Sequence, residues 1–97
     1  MTPKQVSIHP AALAEAEAAV DWCRESAAQR FIGELTNAVD WISADPGRFP
    51  LHEAGTRQLP LWRFPHLVVF RESAALIEIL AVMHGRRSPG YWKDRLH

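Results

Sequence analysis

The sequence has 97 residues, of which 47% are hydrophobic and 23% are charged. This length and composition exclude a disordered chain and a multidomain one, so we expect a single globular domain over residues 1–97. The net charge of zero hides an asymmetry, because residues 1–47 carry three basic and seven acidic side chains and residues 48–97 carry eight basic and four acidic ones. This split predicts that the second half faces an anionic molecule, such as nucleic acid or an acidic peptide, although arginines on a solvated sheet would give the same count.

The sequence carries no signal for export or membrane insertion. Its one cysteine, Cys23, cannot form an internal disulfide, which fits a reducing cytosol. The first ten residues, MTPKQVSIHP, lack the apolar segment of a signal peptide. No apolar run approaches the roughly 20 residues of a membrane span. We therefore expect a soluble cytoplasmic protein that makes no contact with a membrane.

The first half of the chain predicts one strand and two helices. Val6–Ile8 suits a short strand, and Ala11–Glu25 is rich in the strong helix formers Ala and Glu. Ser26–Gln29 has the pattern of a capping box and so predicts the start of a second helix. This helix runs to about Ala44, because Asp45-Pro46-Gly47 cannot continue it. With a short link between them, the two helices should form an antiparallel hairpin.

The second half changes to the alternating pattern of strands. Leu59–Arg63 predicts a strand in which Pro60 favours a sheet edge or a bulge. His66–Arg71 and Ala75–His84 predict two more strands, and the last is apolar on both faces, which favours a central position. Strict alternation would place four of its residues on one face: Ile77, Ile79, Ala81 and Met83. The predicted fold is α+β, an N-terminal strand and a helical hairpin packed on an antiparallel sheet, in the order β-α-α-β-β-β.

Residues 85–97, GRRSPGYWKDRLH, form a basic and aromatic tail without alternation or helical spacing. Aromatic and arginine residues with no evident role in a core are candidates for function. The five histidines show no close ligand spacing, and no glycine-rich phosphate loop is present. We therefore expect neither a metal site nor a cofactor.

Several short motifs, taken in order, resemble the RelE/ParE toxin superfamily, and most closely its ParE-like plasmid-stabilisation members. They are His9-Pro10-Ala11, Trp22, Asp45-Pro46 followed by Phe49-Pro50, Gly55-x-Arg57, Arg63-Phe64-Pro65 and His84-Gly-Arg-Arg-Ser-Pro-Gly-Tyr-Trp92. The set extends from Val6 to Arg95. The resemblance implies a RelE/ParE-like fold and a toxin that arrests bacterial growth within a type II toxin–antitoxin system. It also implies a cognate antitoxin with which the toxin forms a hetero-oligomer.

The superfamily divides by target, and this division leaves two activities open. RelE-like members cut mRNA on the ribosome without a metal, whereas ParE-like members inhibit DNA gyrase. The resemblance implies that a nuclease would use Arg63, Arg87, Tyr91 and His84, since cleavage by the 2′-hydroxyl needs proton transfer and cations that stabilise the phosphorane.

Departures from the nuclease pattern favour DNA gyrase as the target over cleavage of mRNA. The loop in which RelE-like nucleases place lysines has His52 and Glu53, and Gly85 follows His84 where other nuclease toxins carry a His-Tyr pair. We expect inhibition of DNA gyrase, with a ribosome-dependent mRNA endonuclease as the alternative. A non-toxic binding domain, either a decayed toxin or an RNA-binding module, is a further alternative.

Candidate contacts with the target or the antitoxin are the basic and aromatic residues of the second half. They are Arg57, Arg63, Arg86, Arg87, Tyr91, Trp92, Lys93 and Arg95. The competing interpretation for Tyr91 and Trp92 is that they pack the tail onto the sheet. For His84 it is a hydrogen-bonded structural role at the end of a strand.

Overall fold

The computed structural model of the protein describes residues 4–96 and confirms the α+β fold in the predicted order. The strands and helices are β1 (Gln5–Ile8), α1 (Pro10–Trp22), α2 (Glu25–Ala44), β2 (Arg57–Pro60), β3 (His66–Glu72) and β4 (Leu76–His84). Three single 3-10 turns occupy the connections and the tail: Pro46–Arg48, Glu53–Gly55 and Tyr91–Arg95.

The four strands form one sheet in the order β1-β4-β3-β2. β4 is central, as its two apolar faces predict, and β2, β3 and β4 form the predicted antiparallel meander. β1 pairs in parallel with β4, Gln5 opposite Leu76 and Ile8 opposite Ile79, so the complete sheet is mixed. Parallel pairing is accessible because the whole helical hairpin and two strands lie between β1 and β4 in the chain.

Two predicted local features are wrong. The capping box at Ser26–Gln29 does not form, since α2 already begins at Glu25 and its cap residue, Arg24, makes no side-chain capping bond. The strand predicted over Leu59–Arg63 ends at Pro60 instead, and Arg63 lies in the turn to β3 with a φ of 70°. The chain has to reverse there, and Leu61 N donates to His66 O at 2.9 Å to close the turn.

The predicted division of β4 into faces is also wrong, and a β-bulge is the reason. Val69 lies opposite Ala81, but Phe70 lies opposite Ile79, so Leu80 is an extra residue without a partner position on β3. An extra residue reverses the alternation beyond it. Ile77 and Ile79 therefore belong to the core beneath the helices, together with Val82, whereas Ala81 and Met83 belong to the opposite face.

The sheet consequently has a core on each side. Beneath the helices, Phe31 and Ile42 of α2 and Ala12 of α1 are fully buried. On the other side the tail, predicted to be irregular, forms its 3-10 turn and inserts Trp92, which is 0% exposed, against the sheet. Gly90 allows the chain to enter this turn, because its φ of 78° suits glycine and an added Cβ would lie 2.9 Å from Lys93.

Candidate functional site

Two turns meet at one end of the sheet and carry three exposed arginines. His66 and His84 form the last pair of the β3–β4 ladder, and Gly85 N donates to Pro65 O at 2.7 Å. The turn between β2 and β3 presents Arg63, and the turn that follows β4 presents Arg86 and Arg87. We refer to Arg63, Arg86 and Arg87 as the arginine surface.

A groove of about 330 Å³ runs beside the arginine surface, between α1 and the tail. Its walls carry His66, His84, Arg87 and Tyr91, and Trp22 stands at its rim with 91% of its surface exposed. The guanidinium of Arg87 lies 4.0 Å from the centre of the Tyr91 ring, which is a cation–π contact. We call this the tail groove.

The floor of the tail groove is built on the carboxylate of Glu15. Tyr91 Oη donates to Glu15 Oε2, and Arg95 donates to both carboxylate oxygens, Nη1 to Oε1 at 2.8 Å and Nη2 to Oε2 at 3.2 Å. Glu15 Oε1 also accepts from the backbone N–H of Val82 at 3.1 Å, and Arg95 Nη1 donates to the backbone oxygen of Leu80 at 2.9 Å. Helix, tail and sheet are thus joined at one carboxylate.

The Glu15 network bonds to the backbone of β4 beyond the point where its pairing with β1 ends. The last main-chain bond from the N-terminal segment to β4 runs from His9 N to Ile79 O at 2.9 Å, and Pro10 then starts α1. Beyond that point, no strand among residues 4–96 neighbours β4 on this side. Glu15 and Arg95 supply the acceptor and donor that an additional strand would have given, and a buried main-chain polar group needs such a partner.

The same contacts shift the pKa values of the groups that make them. Burial opposes ionisation of Glu15, but the hydrogen bonds from Arg95 and Tyr91, the charge of Arg95 and the Val82 N–H outweigh it, so its pKa lies below the usual value. Burial, followed by the hydrogen bond to Glu15 and its charge, raises the pKa of Tyr91 to about 12. Tyr91 is therefore held as a neutral donor near neutral pH.

The two histidines of the tail groove pack against each other edge to face, with ring centres 5.1 Å apart. His84 Nδ1 accepts from the N–H of Arg86 at 3.0 Å, which assigns the proton of the neutral ring to Nε2. Burial first, and then the charge of His84, lowers the pKa of His66. His66 also packs on Phe31, with ring centres 5.2 Å apart, so this side of the groove is continuous with the helix-side core.

Comparison with known proteins gives the family. The sequence profile of the family described as "ParE toxin of type II toxin-antitoxin system, parDE" matches residues 6–89. The chain belongs to this family. A solved structure described as "Chromosomal ParDE TA system from P. aeruginosa" has the same fold, with a TM-score of 0.72 and 20% sequence identity. The match covers 84% of this chain and 95% of that one. No curated protein sequence matches the chain significantly.

In this ParE-family chain, the residues predicted for a site fall into three groups. His84, Arg87 and Tyr91 come together in the tail groove, with Arg63 and Arg86 at the same end of the sheet. Three other residues make contacts within the fold. Lys93 pairs with Glu53 at 2.9 Å, Arg95 pairs with Glu15, and Trp92 is fully buried. Arg57 stands apart at the start of β2, where its Nη1 donates to Phe49 O.

Three residues of the tail groove were missed as site residues by reasoning from the sequence. Glu15 lies off the apolar stripe of its helix, so it reads as an ordinary solvated acid, and His66 reads as the first residue of an apolar strand. Trp22 carried part of the family resemblance but was not among the candidate site residues. The one signal that pointed towards the Glu15 contacts is the excess of acids in the first half and of bases in the second.

Among residues 4–96, no three His, Cys, Asp or Glu side chains are grouped in a way that would hold a metal ion. Neither α1 nor α2, the two helices of that range, combines the length and hydrophobicity that crossing a bilayer requires.

Proposed function

We propose that this ParE-family chain is the growth-arresting toxin of a toxin–antitoxin pair and that it acts by binding and inhibiting DNA gyrase. A cognate antitoxin binds the toxin and holds it inactive. Gyrase acts in the cytoplasm, so the proposal places the toxin there. The observation that carries gyrase inhibition over RNA cleavage is the engagement of the Tyr91 hydroxyl by Glu15.

RNA cleavage by the 2′-hydroxyl needs groups that accept and donate protons near neutral pH. Tyr91 is poorly suited to this, because its hydroxyl already donates to Glu15 and its pKa is raised to about 12. Arg95, which the nuclease hypothesis does not use, pairs its guanidinium with both oxygens of the same Glu15 carboxylate. These contacts support a structural role for the end of the tail.

The arginine surface supports a function in binding. Within residues 4–96, Arg63, Arg86 and Arg87 form no ion pair, in contrast to Arg71 and Arg95. All three are exposed on turns at one end of the sheet. Exposed guanidinium groups attract and orient an acidic partner surface, and arginine is the cation best suited to planar, two-point contacts with carboxylates.

The test is DNA supercoiling by purified gyrase in the presence of the toxin freed from its antitoxin. We expect supercoiling to stop at toxin concentrations close to that of gyrase and to return when antitoxin is added. The double variant Arg86→Ala, Arg87→Ala should weaken inhibition by about tenfold or more, as loss of central interface arginines does. Arg30→Ala, which removes an exposed arginine from α2, is the matched control and should inhibit as the wild type does. Supercoiling that continues in excess toxin would refute the proposal.

The second candidate is a ribosome-dependent mRNA endonuclease, favoured by the convergence of His84, Arg87 and Tyr91 in the tail groove. The two activities are separated by mapping the 5′ ends of cellular mRNA during a brief induction of the toxin alone. Growth arrest with intact messages is expected. New ends at fixed positions within codons, lost in Arg87→Ala while the antitoxin complex still forms, would establish the nuclease instead.

A further inference from the structure

A second groove lies between α2 and the segment formed by β2 and the turn after it, and none of the predicted site residues lines it. Its volume is about 430 Å³. We call it the α2–β2 groove and define it by Glu34, Ala38, Trp41, Leu59, Leu61 and Trp62. Glu34, Ala38 and Trp41 lie at positions i, i+4 and i+7 of α2, so they share one face of that helix.

Two tryptophans form the rims of the α2–β2 groove and are largely exposed to solvent. Trp41 is 59% exposed and Trp62 is 73% exposed, whereas Trp92 is completely buried. Leaving large apolar side chains in water carries no benefit for the isolated fold. Tryptophan is also the residue type most enriched among the energetically dominant contacts of protein interfaces. The rims are therefore suited to receive a partner.

The lining also holds a polar atom that lacks a partner. Glu34 Oε1 is buried and accepts no hydrogen bond from any residue between 4 and 96. A buried carboxylate oxygen is costly unless a donor reaches it, and a cationic donor compensates it best. The groove consequently combines apolar walls with a single acidic point, Glu34, which belongs to the acidic first half of the chain.

The hydrogen-bonding groups at the edge of β2 indicate whether a strand or a helix would bind in this groove. Strand addition needs a row of unpaired N–H and C=O groups. At the start of β2, Arg57 already forms an isolated antiparallel bridge with Leu51, and near its end Pro60 has no N–H to donate. A helix satisfies its own backbone and needs only a groove for its apolar face. The edge of β2 therefore disfavours an added strand and favours a helix.

We propose that the α2–β2 groove receives an amphipathic helix of the antitoxin that seats apolar side chains between Trp41 and Trp62 and a lysine or arginine on Glu34. This inference rests on the proposed toxin–antitoxin pairing and adds the chemistry of recognition to it. The basic arginine surface calls for an acidic partner, whereas this groove selects a partner helix that carries one basic residue in an apolar face. Glu34 is then a determinant of which antitoxin binds.

The experiment measures the affinity of the full-length toxin for the antitoxin encoded beside its gene, by calorimetry. Trp62→Ala and Glu34→Lys should each weaken binding by about tenfold or more. Asp40→Lys is the matched control, because it reverses an exposed acid of α2 that does not line the groove, and its affinity should stay within about twofold of the wild type. Circular dichroism and thermal unfolding establish that each variant is folded, as the exposure of Trp62 leads us to expect.

The most discriminating experiment exchanges charges between Glu34 of the toxin and the basic residues of the antitoxin helix. Each Lys and Arg of the antitoxin helix is replaced in turn by Glu, and one replacement should restore binding to Glu34→Lys while weakening binding to the wild-type toxin. Unchanged affinity in Trp62→Ala and Glu34→Lys, an equal loss in Asp40→Lys, or no restoring replacement would each overturn the inference. Trp62→Ala should still inhibit gyrase when free of antitoxin, which separates this inference from the proposed target. A wild-type toxin that binds no antitoxin would refute both this inference and the toxin–antitoxin pairing.

Discussion

Glu15 of α1 and Arg95 of the tail form a two-point ion pair across almost the whole length of the chain, with Arg95 Nη1 2.8 Å from Glu15 Oε1. Both side chains are mostly buried, at 19% and 14% exposure. The same two groups complete the hydrogen bonding of β4 at Leu80 and Val82, where β1 has left the sheet. The position of the tail, and with it the shape of the tail groove, therefore depends on one carboxylate.

The first prediction is that Glu15→Ala destabilises the fold strongly. It removes the acceptor of Arg95, Tyr91 and the Val82 N–H together, and leaves a largely buried guanidinium without its partner. We expect the free energy of unfolding to fall by about 2–4 kcal/mol in urea denaturation. Glu17→Ala, which removes an exposed acid from the same helix, should change it by less than about 0.5 kcal/mol. Equal losses in the two variants would show that Glu15 is not the centre of the network.

The second prediction is a loss of stability in acid that depends on Glu15. Its pKa is lowered in the folded state, so the folded protein binds this proton less readily than the unfolded chain does. The contribution of the network is complete above the usual pKa of 4.5 and is lost as the pH falls through the folded value. Urea midpoints measured from neutral pH to about pH 3 should fall less steeply for Glu15→Gln than for the wild type. Parallel curves for the two proteins would contradict the prediction.

Regular elements were predictable because they depend on local periodicity. The Ala- and Glu-rich helix, the end of α2 at Ala44 and the central position of β4 all follow from patterns within a few residues. The predicted assignment of β4 residues to the two faces was wrong beyond Leu80. A bulge depends on how two strands are aligned, so it cannot be detected in the alternation of one strand.

Contacts between distant residues were not predictable in the same way. Glu15 and Arg95 look like solvated charges in their own segments, and only the folded chain brings them together. The tail has no periodicity because its one regular element is the 3-10 turn Tyr91–Arg95, yet this turn packs against β3 and β4 on one face of the sheet. His84, Arg87 and Tyr91 were identified as site residues from the family resemblance, whereas the structure was needed to place Trp22 and His66 beside them.

The third prediction separates stability from target binding at Arg63. This residue has a φ of 70°, a conformation that glycine adopts without strain and that costs an L-residue roughly 1 kcal/mol. Arg63→Gly should therefore unfold at the same or a slightly higher urea concentration than the wild type. It should nevertheless inhibit gyrase less well, because a guanidinium of the arginine surface is lost. A variant with lower stability and full inhibition would refute the assignment of Arg63 to that surface.

The fourth prediction concerns a milder range of pH and the histidine pair. Burial and the charge of His84 lower the pKa of His66, so the unfolded chain takes up this proton before the folded protein does. The free energy of unfolding is therefore unaffected above the usual pKa of 6.5 and declines as the pH falls below it. His66→Gln should flatten the dependence of the unfolding free energy on pH in this range. If the same dependence on pH persisted in His66→Gln, it would have to come from another titrating group.

The fifth prediction concerns Trp92, the largest side chain of the core on the tail side of the sheet. Trp92→Ala should lower the free energy of unfolding by about 3–5 kcal/mol, as large-to-small substitutions in cores do. Trp92→Phe should cost considerably less, because it keeps an aromatic ring and removes a buried Nε1–H that has no acceptor among residues 4–96. Urea denaturation of both variants is the measurement, and equal losses would show that the indole is not packed as described.

The same packing determines how a shortened toxin should be interpreted. Deleting residues 91–97 would uncover Val69, Leu80, Ala81 and Met83, so we expect a protein that binds hydrophobic dyes and aggregates. A loss of toxicity on truncation would then report the loss of the second core and leave contact with a target untested. The double variant Arg86→Ala, Arg87→Ala alters exposed side chains only, so its toxicity, measured by growth after induction alongside its urea midpoint, addresses the target directly. A truncated toxin that is harmless, monomeric and as stable as the wild type would show that the tail acts in binding and adds nothing to the fold.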